Sequence, residues 1–153
     1  MVHQKMVQRH ILGAPSFGRI ERWLLWTIGT APMSFDEILA RTYPPGSFEY
    51  DVAKEIGGSQ VGRVRSLRRA LGKLCDLGII QILGRRPHRY RLHPFFTRYE
   101  HNPHLIGLCC NLFRNEAKEG FAPHRSLPEA VKIAFWGEYW ATANLKPHPL
   151  DDM

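Results

Sequence analysis

The sequence predicts a mainly α domain that carries one small β hairpin. Three observations lead there. Apolar residues recur at helical spacing in separate stretches, with Pro or Gly breaking the chain between them. Only one region, Ile79 to His93, reads as strand, turn, strand. The stretch from Ser59 to His93 joins a helix to that hairpin and holds nine Lys and Arg against a single acid, Asp76. The whole chain of 153 residues has a net charge of +7, so this one stretch carries the entire positive excess.

The bulk composition narrows the class of protein. Apolar residues make up 44% and charged residues 23%, which fits a globular domain rather than a disordered or fibrous chain. The length suits one domain, or one domain with an extension. A pI near 9.7 favours an anionic partner. No apolar run approaches the ~20 residues of a membrane-spanning helix, so no membrane partner is expected. The opening MVHQKMVQRHILG lacks an apolar region and a small-residue cleavage site, and no secretory signal is expected. Cys75, Cys109 and Cys110 form no disulfide framework, which points to a reducing cytoplasm, at the nucleoid if the cell is bacterial.

Residues 1–16 show no period and read as an N-terminal arm ending in a loose lead-in. Residues 17–29 place Ile20, Trp23, Leu24, Thr27 and Ile28 at helical spacing, and the tryptophans are expected to add buried area to a core helix. Ala31-Pro32-Met33 breaks the chain. Ser34 and Glu37 then form a capping-box pattern that starts a second helix at about Phe35 to Thr42. Tyr43-Pro44-Pro45-Gly46 stops it. The span 43–58 is read as an insertion, within which Phe48, Val52 and Ile56 are spaced for a short helix.

Ser59, after two glycines, is a good N-cap for a third helix. Val64, Leu67, Leu71, Leu74 and Cys75 fall on one face of it, and Arg65, Ser66, Arg69 and Lys73 project roughly opposite. Gly78 occupies the C-cap position. Ile79 to Leu83 forms the first strand, Gly84 to His88 the turn, and Arg89 to His93 the returning strand. Alternation sets Tyr90 and Leu92 on one side and Arg89, Arg91 and His93 on the other, giving a two-stranded hairpin with a positive tip.

Residues 94–153 form a C-terminal helical region of balanced charge. Leu105, Leu108, Cys109, Leu112 and Phe113 define an amphipathic helix from about His104 to Lys118. Ser126 and Glu129 repeat the capping-box pattern ahead of a helix expected to reach about Ala143. Leu127, Val131, Ala134 and Phe135 lie on one face of it; Ile133, Trp136 and Trp140 lie on another. A helix apolar on two sides packs between elements or joins a partner. The tail from Lys146 is expected to fray.

The order helix, helix, basic helix, hairpin over residues 17–93 resembles a winged helix-turn-helix domain. The resemblance is carried by Ser34-Phe35-Asp36-Glu37-Ile38-Leu39-Ala40, by Ser66 to Ile80 with its leucine spacing before Leu77-Gly78-Ile79, and by Arg89-Tyr90-Arg91-Leu92 as the returning wing strand. The family usually has a tight turn where this chain has residues 43–58. The resemblance identifies no subfamily. It implies sequence-specific binding of double-stranded DNA, as in a transcriptional regulator or an accessory factor of a mobile element. The N-terminal half of the third helix would enter the major groove, with Arg63, Arg65 and Arg69 reading guanine and Gln60 reading adenine. Ser66 and Lys73 would meet phosphate. Arg85, Arg86, His88 and Arg89 would follow the backbone or enter the minor groove.

Other chemistry finds little support in the sequence. His101, His104, Cys109, Cys110 and His124 match no zinc spacing, so no metal and no cofactor is expected. No phosphate loop, serine elbow or paired carboxylates occur, so the chain is not expected to be an enzyme and has no catalytic residue. Two further readings of the basic face are docking onto an acidic protein within a larger complex and RNA binding. Duplex DNA is favoured over RNA because single-stranded RNA readers display stacking aromatics. A homodimer through the C-terminal helices is expected from the second apolar face at Trp136 and Trp140, and would pair two reading helices on two half-sites.

Overall fold

The computed structural model describes residues 17–47 and 62–152. The arm at 1–16, the larger part of the 43–58 insertion, the Ser59 cap and Gln60 lie outside the described residues, as does the side chain of Arg63. What is described is mainly helical with a small three-stranded antiparallel sheet.

Helix α1 spans Arg19–Thr27 and turns Leu24, Leu25, Thr27 and the following Ile28 inward. The tryptophans depart from the sequence expectation: Trp23 is 39% exposed and Trp26 is 59% exposed. At 100° per residue the buried centre falls between Leu24, Leu25 and Ile28, which leaves both indoles on the outer flanks. The Trp23 indole N–H donates to Thr42 Oγ1 at 2.9 Å and so ties α1 to the next helix.

Strand β1, Met33–Ser34, has too few residues to show a period, and it corrects the expectation of a bare two-stranded hairpin. It pairs with the returning strand, Met33 opposite Tyr90 and Ser34 opposite Arg89. Helix α2, Phe35–Thr42, starts at the expected capping box. The Glu37 backbone N–H donates to Ser34 Oγ at 3.2 Å, and the Ser34 N–H donates to the Glu37 carboxylate at 3.5 Å. Such a cap is worth about 1 kcal/mol.

Helix α3 is described over Gly62–Asp76. Val64, Leu67, Ala70, Leu71 and Leu74 are buried, a stripe at i, i+3, i+6, i+7 and i+10. Gly78, with φ +76°, ends it in the left-handed conformation. A Cβ at Gly78 would stand 3.0 Å from the Cβ atoms of Pro128 and Ala130, so this glycine also lets the C-terminal region approach. Strands β2, Ile80–Leu83, and β3, Arg89–Leu92, complete a sheet of order β1-β3-β2. Ile80 pairs with Leu92 and Leu83 with Arg89. Across the hairpin Arg91 Nε donates to Gln81 Oε1 at 2.8 Å.

A 3-10 turn at Pro94–Tyr99 leads into helix α4, Pro103–Lys118, which Asn102 caps through Leu105 N–H at 3.1 Å. The inward face of α4 is Ile106, Gly107, Cys110 and Phe113. Cys110 is therefore the buried cysteine of the pair and Cys109 is half-buried. Leu105, Leu108 and Leu112, expected to be inward, are exposed at 37%, 43% and 59%.

Helix α5 covers only Glu129–Trp136; Gly137, at φ +74°, ends it where the sequence suggested a helix to Ala143, and a 3-10 turn at Glu138–Ala141 follows. The second capping box does not form. Pro128 takes the N-cap position, and Ser126 Oγ instead bonds His124 Nδ1 at 2.6 Å. Trp136 is buried against Phe113, with its indole N–H on the Phe121 carbonyl, and Trp140 is half-buried beneath the Lys132 ammonium. The buried Trp136 thus belongs to the core of its own chain and supplies no outer face. The tail is held rather than frayed: Ala122 N–H donates to the Lys146 carbonyl at 2.7 Å, and the buried His148 ring lies 2.9 Å from Glu116.

One core unites these elements. Leu24, Ile38, Leu67 and Ile80 belong to the same buried cluster as Phe96, Ile106, Val131 and Trp136. Each such side chain contributes about 1.5–3 kcal/mol by leaving water. The buried stripe of α3 faces this cluster, which fixes which side of that helix remains outside.

Candidate nucleic-acid interface

Helix α3 has a core stripe, so its remaining residues divide by angle. Arg65, Arg69, Gly72 and Asp76 form the outermost row, at i, i+4, i+7 and i+11, and all are exposed. The acid closes the row at its C-terminal end, so its two cations, Arg65 and Arg69, lie on the N-terminal side. A Cβ at Gly62 or Gly72 would meet nothing within 4 Å, so another molecule's backbone can come close to the helix there.

The two flanks are occupied differently. Towards α1, a groove of about 480 Å³ is lined by Gly18, Arg19, Glu21, Ser66, Arg69 and Lys73, with Ile20 and Ala70 at its base. The Lys73 ammonium lies 3.2 Å from the Glu21 carboxylate across this groove, so Lys73 is an intramolecular ion pair rather than a bare cation. The Ser66 hydroxyl donates to the Gly62 carbonyl at 3.0 Å, which leaves its lone pairs, but not its proton, for a partner. Towards the sheet, the Arg68 guanidinium stacks 3.9 Å from the centre of the Phe35 ring. Gly72 of the outer row shares a hollow there with Ile82 and Tyr90 of the hairpin.

The hairpin turn presents Arg85, Arg86, His88 and Arg89, all exposed. His88 Nδ1 bonds the Gly84 carbonyl at 2.8 Å, and its ring meets Tyr90 edge-on at 6.4 Å. Tyr90 packs inward and burial raises its pKa, with Cys75 adding to the rise and Arg68 opposing it, so the phenol stays neutral. Burial, reinforced by Asp76, pushes the Cys75 thiol to about 11 and keeps it protonated. His93, at the foot of the hairpin, is held below its ordinary range by burial and by Arg91; its Nδ1 accepts from Phe95 N–H at 3.1 Å. Among the described residues no acid pairs with Arg69, Arg85, Arg86 or Arg89.

The structure therefore brings Arg65, Ser66 and Arg69 onto one side of α3, and Arg85, Arg86, His88 and Arg89 onto the exposed end of the hairpin. Lys73 it assigns to Glu21. Two residues escaped the sequence reading. Arg68 lies inside the basic run, one position after Leu67, and its aromatic partner Phe35 is distant in sequence. Arg19 reaches the groove only because α1 packs along α3.

Elsewhere, His101 Nδ1 bonds the Trp26 carbonyl, and His124 stands edge-on to His148 at 5.2 Å. Among the described residues no three His, Cys, Asp or Glu converge as metal ligands, and no helix is long and apolar enough to cross a membrane. No family model, curated protein or solved structure matches the chain.

Proposed function

We propose that the chain is a winged helix-turn-helix protein that binds double-stranded DNA, with α3 in the major groove and the β2–β3 turn along the backbone. One observation carries the reading above others. The outer row of α3 and the adjoining hairpin turn expose arginines on two separate elements, and none of Arg69, Arg85, Arg86 and Arg89 is neutralised by a described acid. A solvated surface ordinarily interleaves acids with bases; among the described residues Arg69 on the helix and Arg85, Arg86 and Arg89 on the hairpin have no acid within ion-pair distance.

On this reading Arg69 and Arg65 make base-edge or phosphate contacts from the groove face, and the two open glycines admit the duplex backbone. Arg85, Arg86 and Arg89 meet phosphates or a narrow minor groove. Arg68 acts through its stack on Phe35, orienting the surface rather than reading it. The strand β1 ties the start of α2 to the hairpin, with Met33 opposite Tyr90 and Ser34 opposite Arg89. Transcriptional regulation is the role such a reader most simply serves.

Selection of bound sites from a random duplex pool tests the proposal. An enriched motif is expected for the wild type. Arg65→Ala with Arg69→Ala should lower affinity for that motif about tenfold or more. A double variant that binds like wild type would remove α3 from the interface. A structured RNA that displaces the duplex at equal concentration would assign the basic face to RNA instead.

A further inference from the structure

The outer side of α1 leaves two large aromatic side chains exposed, Trp23 and Trp26, three residues apart and so neighbours along the helix. They line a hollow of about 320 Å³ that three parts of the chain build: Trp23, Trp26 and Thr27 from α1, Arg41 from α2, and His101 from the turn before α4. Two of its walls are pinned. The Trp23 indole N–H donates to Thr42 Oγ1 at 2.9 Å, which sets that ring across the junction of α1 and α2. His101 takes φ +60°, a conformation few side chains adopt, and its Nδ1 donates to the Trp26 carbonyl at 2.7 Å. Glu100 stands 3.8 Å from the other nitrogen of that ring, but the same carboxylate oxygen accepts from Thr30 N–H at 2.7 Å and Thr30 Oγ1 at 3.0 Å.

Two polar groups at the hollow have no partner. Thr27 is only 6% exposed, and its hydroxyl oxygen is buried without a hydrogen bond among the described residues. A helical threonine can bond the carbonyl four residues back, as Thr42 does with Ile38 at 2.8 Å; Thr27 does not. Arg41 is exposed and makes no ion pair among the described residues.

We propose that this hollow binds a small planar aromatic carboxylate. The ligand ring lies against the indoles, and its carboxylate takes two N–H donors of the Arg41 guanidinium. Two χ1 rotamers are open to a helical threonine, so the Thr27 hydroxyl turns to donate to the ligand and gains the partner it lacks. Other classes fit less well. Arg41 opposes a cationic guest, which a pair of indoles alone would favour. A single guanidinium, with Glu100 behind the imidazole, suits a monoanion better than a doubly charged phosphate. Duplex DNA keeps its bases in the stack and offers the indoles no free ring. The volume lies near the lower end of ligand pockets, which suits one or two fused rings rather than a larger cofactor. The proposal does not depend on how α3 is used.

Nitrogen–proton correlation spectra of the full chain read the result, because each of the four tryptophans gives one indole signal. Trp23→Phe and Trp26→Phe identify the two signals of the hollow. Titration with cinnamate is expected to shift both saturably, with a dissociation constant on the order of 1 mM or below, while the Trp136 and Trp140 signals stay in place. Replacing cinnamate by the neutral cinnamamide, or Arg41 by glutamine in Arg41→Gln, is expected to weaken binding about tenfold or more. Thr27→Val keeps the shape and removes the hydroxyl; it is expected to weaken binding several-fold with a thermal midpoint no lower than that of wild type. No saturable shift of the two signals at roughly 10 mM cinnamate overturns the proposal, as does a shift confined to Trp136 and Trp140. Cinnamamide that binds like cinnamate, or an Arg41→Gln chain that binds like wild type, overturns the class of ligand. A Thr27→Val chain that binds like wild type overturns the part given to Thr27.

Discussion

The two halves of this molecule share one core and differ in what they leave outside. Residues 17–47 and 62–93 expose arginines on a helix and a hairpin turn, while residues 94–152 balance six Lys and Arg against seven acids and expose leucines instead. Yet Leu24 and Leu67 of the first half are buried in the same cluster as Phe96, Ile106 and Trp136 of the second. The difference is therefore one of surface, not of folding unit. It teaches that a charge excess confined to part of a chain marks a face of a domain, and need not mark a separate domain.

The shared core gives the largest expected effect. Phe96 is fully buried and meets Phe95 edge-on at 5.2 Å. Phe96→Ala should cost about 3–5 kcal/mol. Urea unfolding followed by tryptophan fluorescence and by far-ultraviolet circular dichroism should then give one coincident transition at lower midpoint. Two separated transitions would split the halves into independent units.

A smaller loss is expected at the junction. Gly78→Ala forces a side chain into a left-handed conformation that costs about 1–2 kcal/mol, and its Cβ would press on Pro128 and Ala130. Thermal unfolding should show the loss, with the hairpin charges untouched. A variant as stable as wild type would mean that the close approach of the two halves does not constrain this turn.

The surfaces should separate from the core in the opposite sense. Because Arg69 and Arg65 are exposed, replacing both by alanine should leave unfolding within about 0.5 kcal/mol of wild type while weakening the duplex interaction. Titration calorimetry beside denaturant unfolding distinguishes this from a general loss of fold.

The smallest effect expected is on pH dependence. Burial and Arg91 hold the His93 pKa down, so below its ordinary value of about 6.5 the unfolded chain takes up a proton that the folded chain refuses. Stability then rises with pH through that window and falls as the medium is acidified. Glu100, whose carboxylate accepts from Thr30 N–H at 2.7 Å and Thr30 Oγ1 at 3.0 Å, has a lowered pKa and adds a slope of the same sign at lower pH. Denaturant midpoints from pH 5 to 8 should show a flatter profile for His93→Gln. An unchanged profile would assign the slope to other groups.

The sequence made the helices of the first half readable because their signals are local. Ser34 and Glu37 cap α2, the leucines of α3 repeat on one face, and Gly78 sits one position after the last helical turn. The hairpin was readable from alternation and its Gly84 turn. Strand β1 was not, because two residues have no period and their pairing with Tyr90 and Arg89 is a tertiary fact. The outward Trp23 of α1, on a face otherwise found as expected, and the outward leucines of α4 have a common cause. Both helices carry apolar residues around more than half of their circumference, and periodicity then cannot say which side meets the core. Spacing alone points Trp23 and Leu108 inward; packing against neighbours distant in the chain buries Leu25 and Ile106 instead. The candidate site followed the same rule. Arg65, Ser66, Arg69 and the turn arginines were legible as a run, whereas the Glu21 partner of Lys73 and the Phe35 partner of Arg68 come from other helices.

We propose that the arginine surface of α3 and the hairpin turn binds duplex DNA through its charge. Duplex affinity measured against salt concentration tests it most directly. Log K should fall linearly with log salt, at about −0.9 per phosphate neutralised, and the slope should be shallower when Arg85 and Arg86 are both replaced by alanine. An affinity indifferent to salt, or a slope that the Arg85→Ala, Arg86→Ala chain leaves unchanged, would contradict it.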